Sequence, residues 1–150
     1  MEKVPKPKDP HFAALESMYR AAPINAFYRP TIDVSESETT LEIEVSEKLF
    51  HAAGAVHGSV VFKMLDDAAF FAANSREKRV FVLTTSFTTY LIRPISSGTL
   101  RAVGRLVSRT RTQFIAEAIA YDSRGREVGR GTGMFVRGRT LLREVPGYCG

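Results

Sequence analysis

The chain has 150 residues, 44% hydrophobic and 25% charged, which is enough for one domain with a buried core and excludes a disordered or low-complexity chain. A single cysteine, Cys149, excludes an intramolecular disulfide framework and a cysteine-rich zinc module. The net charge of +5 is uneven: residues 1–90 carry ten Lys/Arg against twelve Asp/Glu, and residues 91–150 carry eleven Arg against four acids.

A basic half either attracts a phosphorylated molecule, a membrane surface or nucleic acid, or forms a solvated arginine-rich sheet face. Without a basic run interleaved with aromatics, and without a zinc-finger or RNA-binding signature, no nucleic-acid partner is expected. No run approaches the ~20 apolar residues that span a bilayer, so no membrane partner is expected either. The opening residues are charged and carry Pro5, Pro7 and Pro10. They lack the apolar stretch of a secretory signal, and the expected address is the cytoplasm.

In chain order, the first ten residues read as a flexible arm. Residues 11–20 read as a short helix with Phe12, Leu15 and either Met18 or Tyr19 on one side. Pro23 and Pro30 bracket a connector. Residues 39–45 alternate Leu41, Ile43 and Val45 with Glu42 and Glu44, the period of a half-buried strand. Ala52, Ala53, Gly54 and Gly58 mark a loop of small residues. Residues 60–74 form the one strong helix, apolar almost all round and therefore buried on most sides. Strands follow at residues 80–92, 99–107, 114–122 and 127–136, the last two joined by a Ser123-Arg124-Gly125-Arg126 turn. Gly129, Gly131 and Gly133 face one side of the last strand, which implies a bend or a close approach there. Short connections favour antiparallel neighbours. The expected class is therefore α+β, with one antiparallel sheet curling round one central helix.

Two carboxylates stand on that helix. Asp67 is four residues from Lys63 and is expected to pair with it on a solvent stripe. Asp66 has Phe62, Ala69 and Phe70 one turn away. It either shares the edge of the polar stripe or is a carboxylate held against apolar walls with a raised pKa, fit to act as base or nucleophile. Upstream, His57-Gly58-Ser59 opens the helix. First-turn N–H groups make an anion or oxyanion site, although a glycine before a helix is also ordinary loop chemistry. His57 is either a structural hydrogen-bonder or a catalyst. His51 and His57 lack a third ligand at sensible spacing, so no metal site is expected. There is no Gly-x-Ser-x-Gly elbow and no Walker loop.

Residues 57–70, His-Gly-Ser-Val-Val-Phe-Lys-Met-Leu-Asp-Asp-Ala-Ala-Phe, resemble the helix-opening segment of hotdog-fold acyl-CoA thioesterases of the PaaI type. That family writes His-Gly-Gly and then an Asp followed by small and aromatic residues. Asn74-Ser75, and residues 83–94 ending Leu91-Ile92-Arg93-Pro94, are also similar. The resemblance implies a hotdog domain over residues 28–138, preceded by an arm and short helix at 1–27 and followed by a tail at 139–150. It implies hydrolysis of acyl-CoA, with coenzyme A as part of the substrate and no separate cofactor. It further implies a homodimer, or a tetramer built as a dimer of dimers, with sites at the dimer interface. Asp66 matches the family carboxylate, nucleophile or general base. Gly58 matches the glycine whose N–H polarises the carbonyl, and Thr84 falls where a Ser or Thr stands near the attacking water. Asp and Thr would come from one subunit and Gly from the other. His51 stands where an Asn is common, and Ser59 replaces the second glycine. His57, Ser59, Phe62 and Arg93 are the expected substrate contacts, with Arg101 and Arg105 as further candidates for the phosphates. Two alternatives remain: an acyl-CoA-binding module without turnover, and an acyl-thioester dehydratase pairing His57 with Asp66.

Overall fold

The computed structural model describes residues 2–148; the lone Cys149 lies outside the described residues. Helix α1 spans Pro10–Ala21. It starts where the Asp9 carboxylate accepts the His11 N–H at 2.8 Å, with Pro10 in the first turn, where a missing N–H does no harm. Both Met18 and Tyr19 are buried with Leu15. After the single turn α2, Asn25–Tyr28, come strands β1, Thr31–Ser35, and β2, Glu38–Glu44. The central helix α3 is Gly58–Asn74. Strands β3, Val80–Leu91, β4, Thr99–Arg109, β5, Gln113–Tyr121, and β6, Glu127–Leu141, complete the domain.

The six strands form one sheet in the order β1-β2-β4-β5-β6-β3, with every neighbouring pair antiparallel. Helix α3 contacts all six, so the sheet wraps round it in the hotdog arrangement that the sequence leads one to expect. Met64, Leu65, Ala68, Ala69, Ala72 and Ala73 have no exposed surface. Burying apolar side chains of Leu or Met size is worth about 1.5–3 kcal/mol each, and it is this burial rather than helix propensity that holds α3. The helix lies directly on the sheet at Gly104, where a Cβ would fall 2.1 Å from the Ala68 carbonyl oxygen. The glycine track of β6 is a close approach of the same kind. A Cβ on Gly131 would fall 2.4 Å from the Phe87 ring.

Four features differ from the sequence reading. The helix begins at Gly58 rather than residue 60, because His57 caps it: its Nδ1 accepts the Ser59 N–H at 3.0 Å, and histidine is outside the usual capping set. Strand β1 is additional; only Val34 of its five residues is buried, too little for a period-two pattern to show. Strand β6 runs past residue 136 to Leu141, which pairs with Val80, and Leu142 beyond it is 1% exposed. Within the opening segment, Lys8 binds both Glu16 and Asp33. Among the described residues, no helix is long and apolar enough to cross a membrane.

Asn74, fully buried at the end of α3, sets the position of β3. Its side-chain amide donates to the carbonyls of Glu77 and Val80 at 2.9 and 3.1 Å, and its Oδ1 accepts the Val82 N–H at 3.0 Å. Three bonds from one side chain thus lock the turn and place Thr84, two residues further on.

Candidate active site

Asp66 lies midway along α3, half-buried, with Phe62 and Phe70 one turn away on the same face. The Thr84 hydroxyl donates to its Oδ1 at 3.0 Å. A bulge makes that contact possible. Thr84 pairs with Phe135 but Ser86 with Met134, so Thr85 is an extra residue. The shift leaves Thr84 and Phe87, rather than alternate residues, facing the helix. Phe87 meets Phe62 edge-on at 5.5 Å. Burial is the main cause that lifts the Asp66 carboxyl, and the neighbouring charge of Asp67 adds to it. The Thr84 bond and the Lys63 charge oppose them. The result is a pKa pushed up to about 6. At pH 7 such a group is about nine-tenths ionised, yet more basic than an ordinary carboxylate, which suits proton abstraction or nucleophilic attack.

Asp67 behaves differently. It does pair with Lys63, at 2.5 Å, but their side chains are only 22% and 12% exposed. The expected solvent stripe is absent because α1 and α2 cover it. Tyr19 donates to Asp67 at 2.6 Å, and Lys63 donates to the Asn25 side-chain oxygen at 2.9 Å.

A cavity of about 590 Å³ opens at Asp66 and Thr84. Phe62, Phe70, Phe71 and Phe81 form its inner wall, residues 18–19 and 21–25 its outer wall, and Val145 and Pro146 one end. The contributions of both terminal segments escaped the sequence reading; the one hint was the apolar side of α1.

The other expected residues gather elsewhere. Gly58, His51 and Arg93 line a separate cavity of about 230 Å³ with Leu91 and Ile92. The Gly58 N–H donates to no group among the described residues, which leaves a free first-turn donor at the positive end of α3. His51 Nδ1 accepts the Ala53 N–H at 3.0 Å, so a neutral ring carries its proton on Nε2 and remains a donor there. His57 and Ser59 bond each other: besides the backbone cap, the Ser59 hydroxyl lies 2.7 Å from His57 Nδ1. Arg101 stacks on Tyr121 at 5.4 Å, and Arg105 lies 3.9 Å from Glu38; neither borders this cavity. Among the described residues, no group of three or more His, Cys, Asp or Glu side chains converges as metal ligands do.

Gly58 and Asp66 are eight residues apart on one helix, which separates them by about 12 Å along its axis. The carbon and oxygen of a carbonyl are about 1.2 Å apart. No single chain can therefore present both groups to one thioester. Strand β3 leaves one edge of the sheet open. It is twelve residues long and stands at the sheet edge. Around it Leu83, Tyr90, Leu91 and Ile92 are exposed, as is Phe62 on α3. A long apolar edge with an unpaired backbone is a template for another strand.

Comparison with known proteins bears on the family and the fold. The family described as the thioesterase superfamily matches residues 53–129, which include Gly58, the whole of α3 and strands β3, β4 and β5. A protein of Saccharolobus solfataricus, provisionally named an esterase, is 25% identical over 96 residues. The match covers 64% of this chain and 64% of that protein, so the chain spans under two thirds of that relative's length. Among solved structures, the Escherichia coli PaaI protein of the phenylacetic acid degradation operon superposes with a TM-score of 0.80 at 17% identity. That match covers 88% of this chain and 96% of PaaI. A Mycobacterium tuberculosis protein, also provisionally named an esterase, gives 0.73 at 23% identity, covering 79% of this chain and 98% of its own. These structural likenesses establish the fold.

Proposed function

Because the chain belongs to the thioesterase superfamily, we propose that it hydrolyses acyl-CoA thioesters to free acid and coenzyme A, in sites completed by a second copy of the chain. The single observation that carries this reading is Asp66: a half-buried carboxylate with no cation in salt-bridge contact among the described residues, bonded to Thr84 and lining a mainly apolar cavity. Pairing along β3 is the proposed route by which one copy's Asp66 meets the Gly58 N–H of the other, in a dimer or a dimer of dimers. A cytoplasmic address belongs to the same proposal.

In this reading the thioester carbonyl oxygen lies on the free Gly58 N–H, with the His51 Nε2–H as a second donor. These groups stabilise the negative charge that develops as the carbonyl carbon becomes tetrahedral. Asp66 either takes a proton from a water held by Thr84 or attacks the carbon itself. On the first route water adds to the carbon, the C–S bond breaks, and coenzyme A leaves as thiolate and takes up the proton that Asp66 removed. On the second, C–S cleavage releases the thiolate and leaves an acyl–Asp66 anhydride, which a water then hydrolyses to the acid, returning the carboxylate. Arg93, at the rim of the second cavity, is placed for a coenzyme A phosphate. Coenzyme A enters as part of the substrate, and no separate cofactor is invoked.

The test is thiol release from a panel of acyl-CoAs, with Asp66→Asn beside the wild type and hydration of crotonyl-CoA as a control for dehydratase chemistry. Turnover that disappears in the variant supports the proposal. Tight binding without turnover would place the protein among acyl-CoA-binding modules, and an Asp66→Asn variant with full activity would remove Asp66 from the mechanism.

A further inference from the structure

Resting on the thioesterase reading, the large cavity also specifies the acyl group. Its volume, about 590 Å³, lies in the range that takes a small organic ligand. Beyond Asp66 and Thr84 its walls are mainly apolar, with Phe62, Phe70 and Phe81 on the core side, Ile24 on the outer side and Val145 at one end. Four further polar side chains border it: Tyr19, Asn25, Lys63 and Asp67. They are occupied with one another.

The Lys63 ammonium donates to the Tyr19 hydroxyl at 3.2 Å, to Asn25 Oδ1 at 2.9 Å and to Asp67 Oδ2 at 2.5 Å, which uses all three of its N–H groups. The Tyr19 hydroxyl gives its own proton to Asp67, and the Asn25 amide donates to the Tyr19 carbonyl at 2.7 Å. The rings of Tyr19 and Tyr28 also flank the ammonium, at 5.1 and 4.9 Å. A polar or charged group brought into this cavity would lose its hydration and find the lysine's donors already taken.

We propose that the cavity is an acyl pocket for an unsubstituted apolar chain of medium length, and that residues 21–24, the connector between α1 and α2, set that length. The connector forms part of the outer wall, and its Ala21 and Ala22 leave space that larger side chains would fill. The N-terminal helix and the residues around Val145 thereby acquire a role as the closure of the pocket, and the Lys63 cluster acts as its neutralised side wall.

Thiol release by the full chain from acetyl-, butanoyl-, octanoyl- and suberyl-CoA tests this; suberyl is an eight-carbon acyl ending in a carboxylate. Each buried methylene is worth about fourfold, and partial burial leaves octanoyl at least about 100-fold above acetyl in kcat/KM. Suberyl falls at least about 100-fold below octanoyl, because its charge finds no partner. Ala22→Phe, which fills the outer wall, lowers octanoyl turnover about tenfold and leaves butanoyl within about twofold. A thermal melt confirms that the variant is folded, and Ala22→Leu gives the graded version should Phe prevent folding. A flat chain-length profile overturns the proposal. So does suberyl at or above octanoyl, which would mean that Lys63 is released to read a carboxylate, and so does an equal loss on both chain lengths in the folded variant. Thiol release from none of the four is a different failure. If an aromatic acyl-CoA is turned over instead, only the pocket assignment falls; if it is not, the thioesterase reading falls with it.

Discussion

Asp66 and Asp67 are consecutive residues of one helix, and the fold gives them opposite surroundings. A turn of about 100° directs Asp67 towards α1 and α2, where Tyr19 and Lys63 both donate to it. Asp66 is directed towards β3 and the cavity and receives one side-chain hydrogen bond, from Thr84. The paired carboxylate braces the terminal helices against α3. The carboxylate with no salt-bridge partner among the described residues keeps its basicity raised, to about 6, because burial opposes its charge and the Thr84 bond and the Lys63 charge compensate only in part. A carboxylate's role here follows from which distant segments fold against it, not from its place on the helix.

The largest effects should come from Asp66. Its replacement by Asn is expected to lower kcat by about 10³-fold, within the range for loss of a positioned base. The same change should stabilise the fold at high pH. With a folded pKa of about 6 against an ordinary value of 3.8, the carboxyl is protonated in both states at low pH and costs nothing there. As pH rises through that interval the unfolded chain releases its proton first, so folding becomes less favourable, and above pH 6 the penalty is complete. After allowance for solvent screening, Asp66→Asn should raise Tm by about 2–4 °C at pH 8 and leave it unchanged at pH 3. A lower Tm at pH 8 would mean that Asp66, like its neighbour, braces the fold.

Gly58→Pro approaches the comparison from the other half of the site. Proline is well tolerated at the first helical position, and His57 already has the extended backbone (ψ 140°) that suits a residue before proline. The substitution therefore deletes the N–H while keeping the helix, with the flexible Leu91 side chain giving way. A loss of about 10²–10³-fold in kcat is expected for an oxyanion donor. Mixing this variant with Asp66→Asn under subunit exchange should restore up to about a quarter of wild-type activity, since half of the random dimers hold one intact site of two. No recovery, with exchange demonstrated, would mean that Gly58 and Asp66 do not act together in one shared site.

Thr84→Val comes next. The Thr84 bond holds the Asp66 carboxyl down, so its loss should move the acid limb of the kcat profile, near pH 6 in the wild type, to higher pH. With the hydroxyl proposed to hold the water also gone, turnover at pH 7 should fall about tenfold. An acid limb that does not move would separate Thr84 from Asp66.

Much of this arrangement was legible in the sequence, for physical reasons. A helix apolar on nearly every side has to be surrounded, which gives the sheet round α3. The alternation at Leu41, Ile43 and Val45 marks a strand because one face is buried. Asp66 stood out because its helical neighbours are apolar. What could not be read depends on contacts distant in sequence. Tyr19 lies 48 residues from Asp67, so the pair with Lys63 looked solvated. The bulge at Thr85 leaves no clear mark in a run of Thr and Ser. The cavity walls come from both terminal segments, where composition alone suggested an arm and a tail.

The smallest effect on rate is expected at Asp67, and it is the most discriminating. Asp67→Asn leaves Lys63 part-buried with Tyr19 and Asn25 but without its anion. Stability should fall by about 1–2 kcal/mol, less than for a fully buried pair because these side chains retain some exposure. Turnover of a short acyl-CoA should stay within about twofold, as for a residue outside the chemistry. The acid limb of the profile should still move. The Asp67 charge pushes the Asp66 carboxyl up and Lys63 pulls it down, so removing the first and freeing the second both favour the ionised form. The limb therefore shifts to lower pH, opposite to its shift in Thr84→Val. Two neutral substitutions on either side of one carboxylate would then move its titration in opposite directions. That outcome requires Asp66 to be the group being titrated.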